Sequence, residues 1–163
     1  MIGHLHRSQF NSAVGIKLLA VLLATSLGAY GQEMDLKALK LALAQRAVVV
    51  EENNNVVEYD LDGVHIYLIT DESANRMRLM AGVIEQSKLK QQDLVKLMEA
   101  NFDRALDAKY ALSNGVLWSV FAHPLRELEK EQVVDALYQV KNLVNNYGST
   151  YTSTDFVFGG NDN

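Results

Sequence analysis

The residues able to do chemistry in this 163-residue chain are few, and their spacing is the first thing to weigh. Glu58, Asp60, Asp62 and Gly63 place oxygens at positions 1, 3 and 5 and a glycine at position 6, as a calcium loop does. Such a loop closes with a bidentate carboxylate at position 12, where this chain has Ile69, so the run is better explained as an Asp-Gly hairpin. Ser119 and His123, with one of the aspartates, are the residue types of a hydrolytic triad. No Gly-x-Ser-x-Gly elbow accompanies them, and Ser119 falls within an apolar strand pattern instead of a strained turn. His65 and His123 would need a third ligand to hold a metal, and none can be placed. His65 alternates with Ile66 and Leu68 and is expected to face solvent. The adjacent acids Glu51-Glu52 and Asp71-Glu72 are poor acid/base partners, because neighbours on a strand point to opposite faces. The chain has no cysteine, which excludes thiol catalysis, thiolate zinc sites and disulfides. The expectation is a protein with no catalytic, metal or cofactor site.

Recognition is the remaining role, and aromatic residues are its usual carriers. Tyr67, Tyr110, Trp118 and Phe121 are the candidates for binding a partner. The competing and weightier reading for the strand that holds Trp118 is structural: Trp118 and Val120 share one face and would pack under helices. Met77, Met80 and Met98 are expected to fill core space.

The elements that must position these residues are legible from periodicity. Asp35 can cap a helix near 35–46, with Leu36, Leu39 and Leu43 on one side. Val48 to Glu52, Val56 to Tyr59, Val64 to Thr70 and Arg76 to Ile84 read as strands separated by Asn-rich and Asp-Gly turns. The period then changes from 2 to 3.6. Leu94, Leu97, Met98, Phe102, Ala105 and Leu106 are expected to form the buried side of a helix over 88–107, opposite Asp93, Lys96, Glu99 and Asp103. A hairpin follows, Lys109 to Leu112 and Val116 to Ala122, turning at Asn114-Gly115. A last helix near 128–147 carries Val133, Ala136, Leu137, Val140, Leu143, Val144 and Tyr147, with Gly148 as its terminator. The order is α-β-β-β(β)-α-β-β-α. This is an α+β fold: an antiparallel sheet of about five to six strands packed with three helices.

The ends are read differently. Residues 1–31 have the form of a signal peptide: His4, His6, Arg7 and Lys17, the short apolar run Leu18 to Ala24, then Ala29-Tyr30-Gly31. The run is too short to span a bilayer, which takes roughly 20 apolar residues. Cleavage before Gln32 would leave a single domain over 32–148, without a stable membrane anchor, in the periplasm or secreted. From Ser149 the Ser, Thr, Gly and Asn content predicts a flexible tail over 149–163. The formal charge of −5 argues against nucleic acid as a partner, since phosphate contacts need clustered Lys and Arg.

The element order, Arg78-Leu79-Met80-Ala81-Gly82-Val83 ahead of the second helix, and the stretch Tyr110 to Trp118 running into Phe121-Ala122-His123-Pro124-Leu125 resemble the YbjN-like group of the type III secretion chaperone-like fold. The resemblance covers roughly 34–147. It implies a non-catalytic domain, often dimeric, that binds protein segments or acts in regulation, and it supplies no catalytic residues. Secretion chaperones work in the cytoplasm, whereas the signal peptide expected over 1–31 would export this chain. Three functions follow in order: an exported module binding a protein or peptide, with a homodimer expected; a small periplasmic hydrolase; a carrier of a small apolar ligand.

Overall fold

The computed structural model describes residues 33–155. The signal-peptide segment 1–31 therefore lies outside the described residues. The chain forms α1 (Leu36–Ala44), β1 (Val48–Asn53), β2 (Val56–Leu61), β3 (Val64–Asp71), β4 (Arg76–Glu85), a short 3-10 turn at Gln86–Lys88, α2 (Gln91–Asp103), β5 (Lys109–Ser113), β6 (Val116–His123) and α3 (Lys130–Asn145). The six strands make one antiparallel sheet in the order β1-β2-β3-β4-β6-β5. Among the described residues, six strands and three helices in an α+β arrangement are the fold expected from the periodicity.

Local chemistry explains the joints. The Asp35 carboxylate accepts the Ala38 amide at 2.7 Å and caps α1. Asp62-Gly63 and Asn114-Gly115 turn their hairpins with φ of 53° and 84°, and 49° and 75°. Positive φ at both central residues matches the right-handed twist of paired strands, and Asn, Asp and Gly adopt it most cheaply. At the β3–β4 turn, Asp71 accepts from Ser73 Oγ at 2.6 Å and from the Ala74 amide at 2.9 Å. These bonds favour the ionised form and hold the Asp71 carboxyl below the usual carboxylate range.

Alternation assigns the two faces. Val57, Tyr59, Leu61, Ile66, Leu68, Met77, Leu79, Ala81, Leu117, Ser119 and Phe121 point to one side and are buried. There they meet Leu39, Leu43, Val133, Ala136, Leu137, Val140 and Leu143 from α1 and α3. Trp118 and Val120 are thus not under the helices as expected. They lie on the opposite face, because the parity of β6 is set by Leu117 and Phe121 entering the core.

Helix α2 departs from its expected packing. Its fully buried residues are Leu97 and Ala100, while Val95, Met98 and Phe102 are 56%, 69% and 85% exposed. The helix binds the sheet along the margin of β5 through a narrow strip. Asn101 donates from Nδ2 to the Tyr110 carbonyl at 2.9 Å, and its Oδ1 accepts the Tyr110 amide at 2.8 Å. That side chain imitates a neighbouring strand. Lys109 Nζ donates to the carbonyls of Asn101 and Ala105 at 2.7 and 2.6 Å, satisfying acceptors at the end of α2.

Residues 149–155, the start of the segment read from sequence as a tail, run back over the molecule. Tyr151 is buried with its ring edge-on to Tyr110 and Tyr147. The Ser153 hydroxyl accepts the Leu106 amide at 2.7 Å, and the Ser153 carbonyl accepts from Asn142 Nδ2 at 2.9 Å.

Candidate functional site: the open face of the sheet

Cross-strand register arranges the uncovered face in ranks. Asp60 pairs across from His65 on β2 and β3, and Gly82, Trp118 and Ala111 form one rank across β4, β6 and β5. The next runs Glu51, Glu58, Tyr67, Met80, Val120, Lys109 from β1 to β5. A third runs Asn53, Val56, Ile69, Arg78, Ala122. Helices α1 and α3 pack on the opposite face, and α2 flanks β5. Directly opposed side chains on antiparallel strands sit about 5 Å apart, so each rank is a continuous strip.

The centre is aromatic and apolar. Tyr67 and Trp118 meet edge to face with ring centroids 6.5 Å apart. Met80 and Val120 stand beside them, half-buried, and Ile69 and Val56 are exposed. Gly82 supplies no side chain beside Trp118, and a depression there, lined by Glu58, His65, Tyr67, Gly82 and Trp118, runs past the β2–β3 turn at Gly63 and Val64 to Val144 of α3. A Cβ at Gly82 would lie 3.8 Å from Trp118 Cζ3, ordinary contact, so the position is open space beside the indole ring. The Trp118 indole N–H donates to the Ser113 carbonyl at 3.2 Å, which fixes the ring on the hairpin.

The β1–β2 side is acidic. His65 Nδ1 lies 2.7 Å from Glu58 Oε1, and His65 Nε2 lies 4.0 Å from Asp60 Oδ2. Glu51 pairs across from Glu58. On the β4 side Arg78 is exposed between Ile69 and Ala122. An apolar, aromatic centre with a charged margin has the anatomy of a protein-binding patch.

The four aromatic residues expected to bind a partner separate into two pairs. Tyr67 and Trp118 come together on the open face. Tyr110 and Phe121 do not join them: both are buried on the helix side, each 6% exposed. Tyr110 donates its hydroxyl to the Leu143 carbonyl at 2.7 Å, and burial raises its pKa well above the ordinary tyrosine value. Phe121 stacks on His123, with ring centroids 5.9 Å apart. The sequence separation of Trp118 and Phe121 is odd, and that is the signal placing them on opposite faces of one strand.

The candidates for chemistry disperse. Ser119 is fully buried beneath α3 with no hydrogen-bond partner for its hydroxyl. His123 lies four residues along the same strand, about 13 Å away at 3.3 Å per residue, with Nδ1 2.8 Å from the Pro124 carbonyl oxygen. Glu58, Asp60 and Asp62 engage His65, the Gly63 amide and Lys141 respectively, and Ile69 stands on the open face. Among the described residues no group of three or more acids and histidines is placed to hold a metal ion. No helix among them is long and apolar enough to cross a membrane. Of the three methionines expected in the core, Met77 is buried, Met80 is on the open face and Met98 is exposed.

No protein-family model and no curated protein matches the sequence. Among solved structures the chain is similar to one in the HopA1-SchA chaperone-effector complex, at 13% identity and a TM-score of 0.49, over 61% of this chain and 79% of that one. It is also similar to a chain of the ExsC-ExsE complex, at 15% identity and a TM-score of 0.49, over 65% and 84%. Neither comparison bears on the YbjN-like part of the resemblance, and no site or partner is carried over from these structures.

Proposed function

We propose that this chain is an exported, non-catalytic protein-binding module whose docking surface is the open sheet face, with a second copy of the chain as its first partner. The observation that carries the reading is the Tyr67–Trp118 pair standing with Met80, Val120, Ile69 and Val56 on a face that α1 and α3 leave uncovered. Paired antiparallel sheets normally cover such a face or keep it polar. The burial of Ser119 and its distance from His123 weigh against the hydrolase alternative. The space between sheet and helices is filled by Leu39, Leu43, Ile66, Leu68, Leu79, Leu137 and Leu143, each fully buried, which weighs against a carrier of an apolar ligand there.

Trp118 is the only tryptophan of the chain, so its fluorescence reports on this face alone. Dilution through the micromolar range, followed by light scattering and by emission wavelength together, is the test. Dimer mass accompanied by a blue-shifted emission that reverts on dilution supports the reading, and Tyr67→Ala should weaken both. A monomer at every concentration overturns the dimer, and a dimer with unchanged emission moves the interface off the sheet. Intact mass of the protein recovered from the periplasm should place its N-terminus at Gln32; retention of Met1 overturns export.

A further inference from the structure

The two edges of the sheet are finished differently. At β5 the Asn101 amide occupies the N–H and C=O of Tyr110, so α2 closes that edge. At the other end β1 is bonded to β2 alone, and all six of its residues are exposed. Three of them are Val48, Val49 and Val50, and Leu41 of the preceding helix is exposed as well. An edge strand presents a row of backbone donors and acceptors, and native edges are commonly kept from pairing by charges along their length. Here the charges cover half the strand: Glu51 and Glu52 follow the valines and leave them bare. We propose that β1 is a pairing edge whose occupant is β1 of a second copy, antiparallel and centred on Val49, so that two six-stranded sheets join into one.

Charge selects the occupant and its register. Arg46, exposed at the turn before β1, has no ion-pair partner among the described residues. An antiparallel pair about Val49 sets Val48 of one copy beside Val50 of the other. It also carries each Arg46 to the Glu51–Glu52 end of its neighbour, twice over by the two-fold symmetry. Glu52 has an oxygen to offer: Lys40 Nζ takes Oε1 at 2.7 Å and leaves Oε2. The competing registers are penalised. Parallel pairing stacks the acids of one copy on those of the other, and an antiparallel slip that moves the centre to Glu51 sets Glu51 against its twin. Like charges directly opposed on paired strands are destabilising. The bulge between Val49 and Glu51 breaks the regular ladder there and confines the pairing to the apolar half. Because α2 closes β5, pairing ends at two copies instead of growing as a ribbon.

Edge pairing goes beyond the sheet-face reading and leaves that face uncovered, so the two are read apart: Trp118 emission follows the face, and a thiol on β1 follows the edge. The chain lacks cysteine, so a single engineered thiol gives an unambiguous disulfide. In the full chain, Val49→Cys should close a disulfide between two copies under mild oxidation, because directly opposed residues on antiparallel strands lie within disulfide reach. Asn53→Cys, also exposed on β1, should not: four residues from the centre, it stands about 26 Å from its twin at 3.3 Å per residue. Adding Arg46→Glu to Val49→Cys should cut the disulfide yield several-fold, Glu52→Arg should do the same, and the two together should restore it. Trp118 emission should be equal in the linked and unlinked Val49→Cys protein. Equal linking of Asn53→Cys, or no rescue by the paired charge reversal, overturns the register. An emission shift on linking places the contact on the sheet face and overturns the edge. No linking of Val49→Cys, with amide exchange over 48–52 the same at low and high protein concentration, overturns the pairing outright. Failure of the sheet-face reading alone would leave the Val49→Cys disulfide intact.

Discussion

Replacing Asn101 by alanine tests how α2 is attached to the sheet. The Asn101 amide makes two hydrogen bonds to one residue of β5, giving at 2.9 Å and receiving at 2.8 Å from the Tyr110 backbone. Tyr110 is buried, so its amide and carbonyl gain little from water once Asn101 is gone. A net backbone hydrogen bond contributes about 1 kcal/mol, and leaving a buried group without a partner costs about 1–3 kcal/mol. Two such groups set the expected loss at about 2–4 kcal/mol, a large fraction of the 5–15 kcal/mol that holds a typical domain together. Asn101→Asp keeps the acceptor for the Tyr110 amide and turns the carbonyl contact into a repulsive one, so it should not restore stability. Urea denaturation followed by circular dichroism measures the loss, and hydrogen exchange at the Tyr110 amide localises it. The expected result is a lower midpoint with an unchanged slope, and faster exchange at Tyr110 than at Leu117 on the next strand. An Asn101→Ala midpoint within 0.5 kcal/mol of the parent (roughly the scatter of a neutral surface substitution), with Tyr110 still protected, would refute the strand-mimic account.

Two tyrosines of the core should respond oppositely to loss of their hydroxyls. Tyr59→Phe removes a buried hydroxyl that has no partner and should be neutral or stabilising by about 1 kcal/mol, whereas Tyr110→Phe strips the Leu143 carbonyl of its donor and should cost about 1–2 kcal/mol in thermal or urea unfolding. Burial, reinforced by Glu52, pushes the Tyr59 pKa up to about 12, so the folded state keeps a proton that the unfolded chain releases near pH 10. Stability is whole below about pH 10 and falls as pH rises toward 12, by about 1.4 kcal/mol per unit for this group; Tyr59→Phe should flatten that fall, and an unchanged slope would contradict the assignment. Gly115→Val places a β-branched residue at φ 75° with nothing within 4 Å of its Cβ, so backbone strain alone should lower stability by about 1–3 kcal/mol, and equal urea midpoints would refute the turn.

What the sequence disclosed follows from which signals are local. Asn114-Gly115 and Asp62-Gly63 announced their turns because few residues accept positive φ. Element order was legible because the period changes cleanly between β4 and α2. The covered side of α2 was not legible: Leu94, Leu97, Met98 and Phe102 form a broad apolar arc, and periodicity cannot say which part of an arc meets the sheet. The pairing that decides it, Asn101 with Tyr110, depends on a polar side chain with no periodic signature. The candidate site was half legible. Tyr67 and Trp118 sit on different strands whose register only the whole sheet sets, whereas the separation of Phe121 from Trp118 was available from parity. The packing of 149–155 depends on Asn142, Asn146 and Ser153, residue types that composition alone assigns to loops.

Gln139 on α3 carries a consequence for how the domain comes apart. Its Oε1 accepts the amides of Asp107 and Ala108 at 2.8 and 3.0 Å, and its Nε2 donates to Asp107 and Asp135 carboxylates at 3.2 and 2.6 Å. The loop leaving α2 is therefore moored to α3, and β5 is moored to β6. Helix α2 buries only two residues completely, so it has the least to lose on detachment. It should behave as a separate cooperative unit, opening and reclosing at a free energy well below that of global unfolding while sheet, α1 and α3 stay intact. A partner could then exchange on α2 in the native state, at the speed of a local fluctuation and without unfolding the rest of the domain.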